Sequence, residues 1–481
     1  MSLRVYNTLS GQKEDFVPVQ EGKVGMYVCG VTVYDYCHVG HGRSAVAFDV
    51  IFRYLNYKGF DVTYVRNFTD IDDKIINRAN ERKVPWTEIT ETYIQAFYED
   101  LGKLNILLPT EEPKATKNIQ QMLDLISGLI EKDMAYELDG DVYYSIESFK
   151  DYGQLSRKKI EDLEAGARVE IDERKRNPMD FALWKKSKPG EPFWESPWGE
   201  GRPGWHIECS AMHRRYLGET FDIHGGGKDL VFPHHENEIA QSHGATGCAP
   251  VKYWMHNGFV NVNQEKMSKS LGNFFTLRDI YVQCDPEVLR FFLLSAHYRS
   301  PIDFTDQILE ETGKTVHRFY DFLEAAEAWE SESSTSAPDN WKEAPFLKKF
   351  EEAMDDDFNS ALAIGHMNDE LRWLNKTLTS LSINPKEATQ SEFAGRWKAF
   401  RLAMKTLGLF STSPAYFKER SQKKKMTDLN LDTEKIESLI AERNTARAAK
   451  NWRKADASRD ALTAMGVTIE DTPDGTEWKV K

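Results

Sequence analysis

Two kinds of hydrophobic spacing divide the chain. Val24, Met26 and Val28 alternate with Gly25 and Tyr27, the period of a half-buried strand, and Val46, Val50 and Tyr54 then recur at helical spacing until Gly59. A second strand reads over 62–66 and leads into 67–70, with helical segments to about residue 110. From 113 to 200 the pattern changes to a helix (Met122, Leu125, Leu129), an Asp139-Gly140 turn, a strand over 141–145 and a Pro/Trp-rich stretch over 188–198. Its tryptophans read as packing anchors. A strand over 221–224 ends in Gly225, Gly226 and Gly227, and 254–260 reads as the last strand. Past 305 helical spacing takes over, with a polar break at 331–340. The basic stretch 418–425 reads as a linker, and 433–481 as two helices and a strand-like piece around Trp478.

With 481 residues, the length prior gives about three domains. The net charge of −14 excludes an indiscriminate nucleic-acid coat, so any RNA contact needs local basic patches. Cys29, Cys37, Cys209, Cys248 and Cys284 form an odd, scattered set, which suits reduced thiols better than a disulfide framework. The first residues lack the apolar core of a signal peptide and no apolar run could span a bilayer, so the expected location is cytoplasmic.

Three segments carry chemistry. Residues 29–43 form a strand-to-helix turn, where α/β folds bind ligands, and hold Cys29 at the strand's end with His38 and His41 at the helix start. Backbone N–H groups there favour anions, and imidazoles donate to phosphate oxygens. Second, His234 and Glu238 lie four apart on one helix face. With Cys29 and Cys209 they offer two thiolates, an imidazole and a carboxylate, a set suited to zinc, for which Cys37 and His235 are rival ligands. Third, Lys266-Met-Ser-Lys269-Ser, with Gly272 lending the loop freedom, can clamp a polyphosphate as movable point charges.

His-x-Gly-His at the first turn and Lys-Met-Ser-Lys-Ser after the last strand resemble the signature pair of class I aminoacyl-tRNA synthetases. Nearly the whole chain is similar to the cysteinyl-tRNA synthetase family. The likeness runs through Cys29-Gly30, 204–212, 222–227, 232–241, 254–257 and 354–359. Val31 stands where that family usually has proline, and Val39 and Gly42 where it has isoleucine and alanine.

The resemblance implies an α/β fold: a Rossmann-like parallel-sheet catalytic domain split by an insertion, then a helical bundle and a small C-terminal anticodon-binding domain. The expected boundaries are 1–112, 113–200, 201–304, 305–412 and 413–481. It implies a cysteine–tRNA ligase that forms cysteinyl-adenylate from L-cysteine and ATP and transfers it to the 3′ end of cysteine tRNA. One zinc per chain would be held by Cys29, Cys209, His234 and Glu238 and take the substrate thiolate, with Cys37 and His235 left to structural roles. His38, His41, Lys266 and Lys269 would be catalytic. ATP, with magnesium, would meet His38, Gly40, His41, Asp229 and Lys269. Cys29, Thr69, Trp205, His224 and His256 would surround the cysteine. The expected protein is a monomer with no membrane partner. Asp357 or Asn359 should cap a helix. A continuous helix would align Arg443, Arg447, Lys450 and Lys454, a break near Asn451-Trp452 would spoil that alignment, and the resemblance implies an anticodon-reading role for this segment, with Trp478 a stacking platform. Two alternatives are a mycothiol-pathway cysteine ligase and a catalytically dead RNA- or zinc-binding paralogue.

Overall fold

The computed structural model describes residues 2–158, 174–262, 265–266, 275–472 and 475–480. The chain divides into two compact units, Met1–Val316 with Ser334–Leu409, and His317–Ser333 with Phe410–Lys481.

The first unit is built on β1 (Lys23–Thr32), α1 (Val39–Tyr57), β2 (Asp61–Thr69), α2 (Trp205–Leu217), β3 (Phe221–Gly227), α3 (Glu236–Thr246) and β4 (Val251–Asn257). The strands form one parallel sheet in the order β4-β3-β1-β2. Chain direction along the sheet reverses between β1 and β3, which leaves a crevice beyond their carboxyl ends. β1 is buried on both faces rather than half-buried: Met26 and Tyr27 are both 0% exposed, because the strand is central and helices cover the sheet. β1 and β2 approach so closely that a Cβ at Gly30 would lie 1.6 Å from the Asn67 carbonyl oxygen, while the Gly30 N–H donates to Asn67 Oδ1 at 2.9 Å. The three glycines belong to β3 itself. A Cβ at Gly225 would meet the Phe48 ring at 2.2 Å, so α1 lies directly on that strand.

The segment expected as a last strand is divided. After β4, Gly258 N–H donates to the Tyr298 carbonyl at 2.8 Å, and a short strand, Val260–Val262, pairs in parallel with Ile302–Phe304. Between the halves of the parallel sheet, Ala135–Leu138, Asp141–Tyr144, Phe181–Lys186 and Gly201–Pro203 make an antiparallel sheet. Asp139 and Gly140 both take positive φ, the requirement of a tight hairpin turn. Trp184 is buried there with its ring 6.2 Å from that of Trp198, the packing role expected of the tryptophans.

Two arginines lock α1 to later elements. The buried Arg290 pairs with Asp49 and donates to the Leu104 and Leu407 carbonyls, and Arg43 donates to the His297 carbonyl at 2.8 Å. Helices Pro345–Asp355, Ser360–Ile383 and Glu387–Leu407 complete the unit. Asn359 caps the second of these, its Oδ1 accepting from Leu362 N–H at 3.0 Å. Asp357 is no cap: it sits buried at φ 65°, accepting from Tyr6 N–H, Tyr298 O–H and Arg299 Nε–H.

In the second unit the basic stretch expected as a linker is a helix, Pro414–Asp428. Lys418 pairs with Asp321 and Glu324, and the Tyr320 and Phe417 rings stack 3.9 Å apart. Helices Thr433–Ala448 and Trp452–Ala464 pack on a two-stranded hairpin, Val467–Thr472 with Gly475–Val480, around Ile436, Ile440, Leu462 and Val467. The terminal strand-like piece is thus half of a hairpin. The break near Asn451 does form: Lys450 turns to φ 56° and Asn451 caps a new helix, so the four basic residues do not share one continuous helix. Arg443 and Arg447 pair with Asp471, and Trp478 packs partly against the unit's core. Among the described residues no helix is long and apolar enough to cross a membrane.

Candidate active site and metal centre

The carboxyl ends of β1 and β3 gather the predicted residues. β1 brings Cys29 to the crevice, α2 brings Cys209, and the turn before α3 brings His234, with Glu238 one turn on. Cys29 Sγ lies 3.7 Å from Cys209 Sγ and 3.6 Å from Glu238 Oε1, and His234 Nε2 lies 3.1 Å from that same oxygen. Zn–S bonds of about 2.3 Å and Zn–N or Zn–O bonds of about 2.0 Å give tetrahedral edges of about 3.8 Å between sulfurs and about 3.3 Å between nitrogen and oxygen. The four donor atoms therefore already stand close to the corners a zinc ion requires.

His224 and His235 form a second potential set with Cys29 and Glu238. Here His224 Nε2 and Glu238 Oε2 are only 2.8 Å apart, a hydrogen bond that fixes the carboxylate rather than a coordination edge. His235 remains beside Cys29, with its Nε2 3.3 Å from the sulfur, while its Nδ1 meets His256 Nε2 at 2.8 Å, and His256 Nδ1 meets Thr8 Oγ1 at 2.8 Å. Cys37 is remote in role: burial pushes its thiol up to about 12, and its carbonyl accepts from Leu277 N–H.

Charge follows the same layout. Burial pushes the Glu238 carboxyl up, but His224 and His234 overcome it and hold the group well below the usual carboxylate range. Burial likewise raises Cys209, yet the hydrogen bond from Cys29 and the neighbouring His234 bring its thiol down to about 6. Burial alone lowers an imidazole, but Glu238 and Cys209 lift His234 to about 10. His234 Nδ1 faces His206 Nδ1 at 2.9 Å. Burial, followed by the charge of His234, pushes the His206 imidazole well below its usual range. Trp205, 39% exposed, lays its ring 4.2 Å from that of His234.

At the start of α1, His38 Nδ1 accepts from the N–H groups of Gly40 and His41, while His41 Nδ1 accepts from His38 N–H. The rings stack with centroids 3.6 Å apart. Both Nδ1 atoms are thus engaged as acceptors, which in a neutral imidazole places the proton on Nε2. Val39 N–H donates to the Phe275 carbonyl and Leu277 N–H to the Cys37 carbonyl, so the chain following the lysine motif is tied to this turn. Lys266 ends a short strand and Lys269 lies outside the described residues. Asp229 is exposed in the turn just after β3.

Thr69 ends β2 and donates its hydroxyl to Glu208 Oε2 at 2.7 Å. Burial pushes the Glu208 carboxyl well up, against that hydrogen bond. Neither Glu208 nor His206 was among the expected site residues, although both flank Cys209 in the segment 204–212. Their signal was adjacency to a candidate ligand, Cys209, on a helix that is buried along most of its length.

Comparison with known proteins identifies the family. A family model described as tRNA synthetases class I (C) catalytic domain matches residues 15–314, a DALR domain model matches 349–411, and a Cysteinyl-tRNA ligase anticodon binding domain model matches 433–478. The chain is 55% identical to the cysteine–tRNA ligase of Geobacter metallireducens and 54% identical to that of Pelobacter propionicus, in each case over 100% of both chains. The structure of Mycobacterium tuberculosis methionyl-tRNA synthetase in complex with methionyl-adenylate shares the fold, with a TM-score of 0.61 at 15% identity, covering 86% of this chain and 94% of that one. Signature turn, donor cluster and full-length similarity agree, and the chain belongs to the cysteine–tRNA ligase family of class I aminoacyl-tRNA synthetases.

Proposed function

We propose that the chain activates L-cysteine with ATP and transfers it to cysteine tRNA, choosing its amino acid at the Cys29, Cys209, His234 and Glu238 cluster. The observation that carries this reading is the near-tetrahedral spacing of two sulfurs, one imidazole nitrogen and one carboxylate oxygen at the crevice. When bound, zinc supplies a position that prefers a thiolate to the hydroxyl of serine. Shape alone separates such near-isosteres by only about 1–3 kcal/mol, so the choice of metal chemistry answers a real selectivity problem.

The chain's own groups then do the positioning. His38 and His41 donate Nε2–H to ATP phosphates, with the N-terminal amides of α1 reinforcing the same charge. Lys269 stabilises the charge that develops as the cysteine carboxylate attacks the α-phosphorus, Lys266 closes the loop, and magnesium accompanies the pyrophosphate. Gly40 lets the nucleotide approach the turn, and Asp229 receives the ribose or the amino group. Thr69, Trp205, His224 and His256 wall the amino-acid pocket. No covalent enzyme intermediate is needed, because the adenylate itself carries the acyl group to the tRNA ribose. The expected setting is the cytoplasm, and the expected state a monomer. The anticodon-domain match over 433–478 supports tRNA as the acyl acceptor rather than the amino sugar of mycothiol synthesis.

ATP–pyrophosphate exchange with each amino acid in turn, followed by tRNA charging, tests the reading. Exchange should depend on cysteine and be absent with serine. Cysteine activation without tRNA charging by the full chain would contradict it.

A further inference from the structure

We propose that Arg278 is a positioning residue for adenylate formation and acts through His38, by clamping the segment that holds the histidine turn. This rests on the reading of His38 as a phosphate contact in cysteine activation. The helix Leu277–Gln283 has only seven residues, too few to persist without tertiary anchors. The start of this segment pairs with the histidine turn. Thr276 stands opposite His38, with Leu277 N–H donating to the Cys37 carbonyl at 2.7 Å and Val39 N–H to the Phe275 carbonyl at 3.2 Å. The backbone on both sides of His38 is therefore tied to this segment, and the turn is no better fixed than the segment is.

Arg278 joins that segment to two other elements. Its Nε donates to Asp100 Oδ1 at 2.8 Å and its Nη2 to Glu99 Oε2 at 2.9 Å. Its guanidinium carbon lies over the Tyr36 ring, 4.4 Å from the centroid. Tyr281, on the same short helix, donates its hydroxyl to the Asp100 carbonyl at 2.7 Å. Asp100 is 0% exposed, and its Oδ2 is buried without a hydrogen-bond partner among the described residues, so the carboxylate leans on Arg278. Tyr36, two residues before His38, meets the Tyr93 ring edge-on at 5.3 Å. Tyr93 and Asp100 lie seven apart on the helix Trp86–Lys103 and so share one face. That face braces Tyr36 directly and Arg278 through its carboxylate. A guanidinium can stack on a ring with its plane while its edge pairs with carboxylates, which an ammonium cannot do.

The test is a double-mutant cycle on ATP–pyrophosphate exchange, comparing wild type, Arg278→Ala, His38→Asn and the double variant. Arg278→Ala should lower kcat about 10- to 100-fold, the scale of a small misplacement of a catalytic contact, and leave KM for cysteine within about twofold. Bound zinc should be unchanged. In the His38→Asn background the same substitution should cost no more than about threefold, because the contact it positions is already gone. Arg278→Lys keeps a cation beside Asp100 but loses the flat face over Tyr36. It should show the same pattern with a smaller loss, which keeps the cycle readable if the alanine variant does not fold. Full multiplication of the two losses, a parallel loss of cysteine affinity and zinc, or undiminished exchange in both Arg278 variants would overturn the assignment. A wild-type chain that shows no cysteine-dependent pyrophosphate exchange would instead overturn the cysteine reading on which it stands.

Discussion

His38 and His41 cap one helix end reciprocally, each Nδ1 accepting a backbone N–H from the other residue. In each ring Nδ1 holds the helix end, so the division to be tested is that Nδ1 serves the cap and Nε2 the phosphate. His38→Asn should keep the cap and lose the phosphate donor, whereas His38→Ala should lose both. Thermal unfolding should therefore show a deficit of about 1 kcal/mol for the alanine variant only. Pyrophosphate exchange should fall by about 100-fold or more in both variants. Full exchange activity in His38→Asn would refute the division.

A second prediction concerns the closest backbone approach in the sheet. Gly30→Ala would drive a Cβ to 1.6 Å from the Asn67 carbonyl oxygen, which belongs to the neighbouring strand and cannot rotate away. The strands must separate beside Cys29, at a cost of about 3 kcal/mol or more. The variant should lose both thermal stability and bound zinc. A normally stable, zinc-replete Gly30→Ala would show that the two strands are not so closely joined.

Burial holds His213 down to about 3, with its Nε2 meeting Ser242 Oγ at 3.1 Å. An unfolded histidine titrates near about 6.5, so below that pH the unfolded chain binds a proton that the folded chain excludes. The stability is complete above about pH 6.5 and is lost as pH falls toward 3. Wild type should lose about 1 kcal/mol more than His213→Gln between about pH 6.5 and about pH 5.5. Unfolding curves at the two pH values check this, and parallel losses would contradict it.

The elements that position the site were legible because their patterns are local. Alternation over Val24 to Val28, helical recurrence through Tyr54 and the histidine turn between them are all set within one stretch of chain. What escaped depends on distant partners. Lys418 reads as part of a solvated basic run until Asp321 and Glu324, nearly a hundred residues earlier, are brought against it. Asp357 reads as a helix cap, yet Tyr6, Tyr298 and Arg299 converge on it from elsewhere. In the site, spacing on one helix pointed to His234 and Glu238. The roles of His206, Glu208 and His235 depend on which face of a buried helix or turn each occupies, and periodicity does not show that when both faces are enclosed.

Arg290 gives a fourth prediction. It is 1% exposed and pairs with the equally buried Asp49 while also holding the Leu104 and Leu407 carbonyls. Arg290→Leu leaves Asp49 with Arg53 and the Leu107 N–H and removes the donor to those carbonyls, so it should cost about 3–5 kcal/mol. Replacing Asp49 by Asn should cost less, because the carbonyl contacts survive. Denaturant titration of both variants decides the order, and the reverse ranking would contradict the account.

The central claim is that the Cys29, Cys209, His234 and Glu238 cluster holds a metal to which the substrate's sulfur binds. Cobalt in place of zinc makes that bond visible, because thiolate ligands produce near-ultraviolet charge-transfer absorption. Adding L-cysteine to the cobalt-substituted chain should intensify that absorption, and adding L-serine should leave it unchanged. An identical spectrum before and after cysteine, in a chain that still activates cysteine, would contradict the claim.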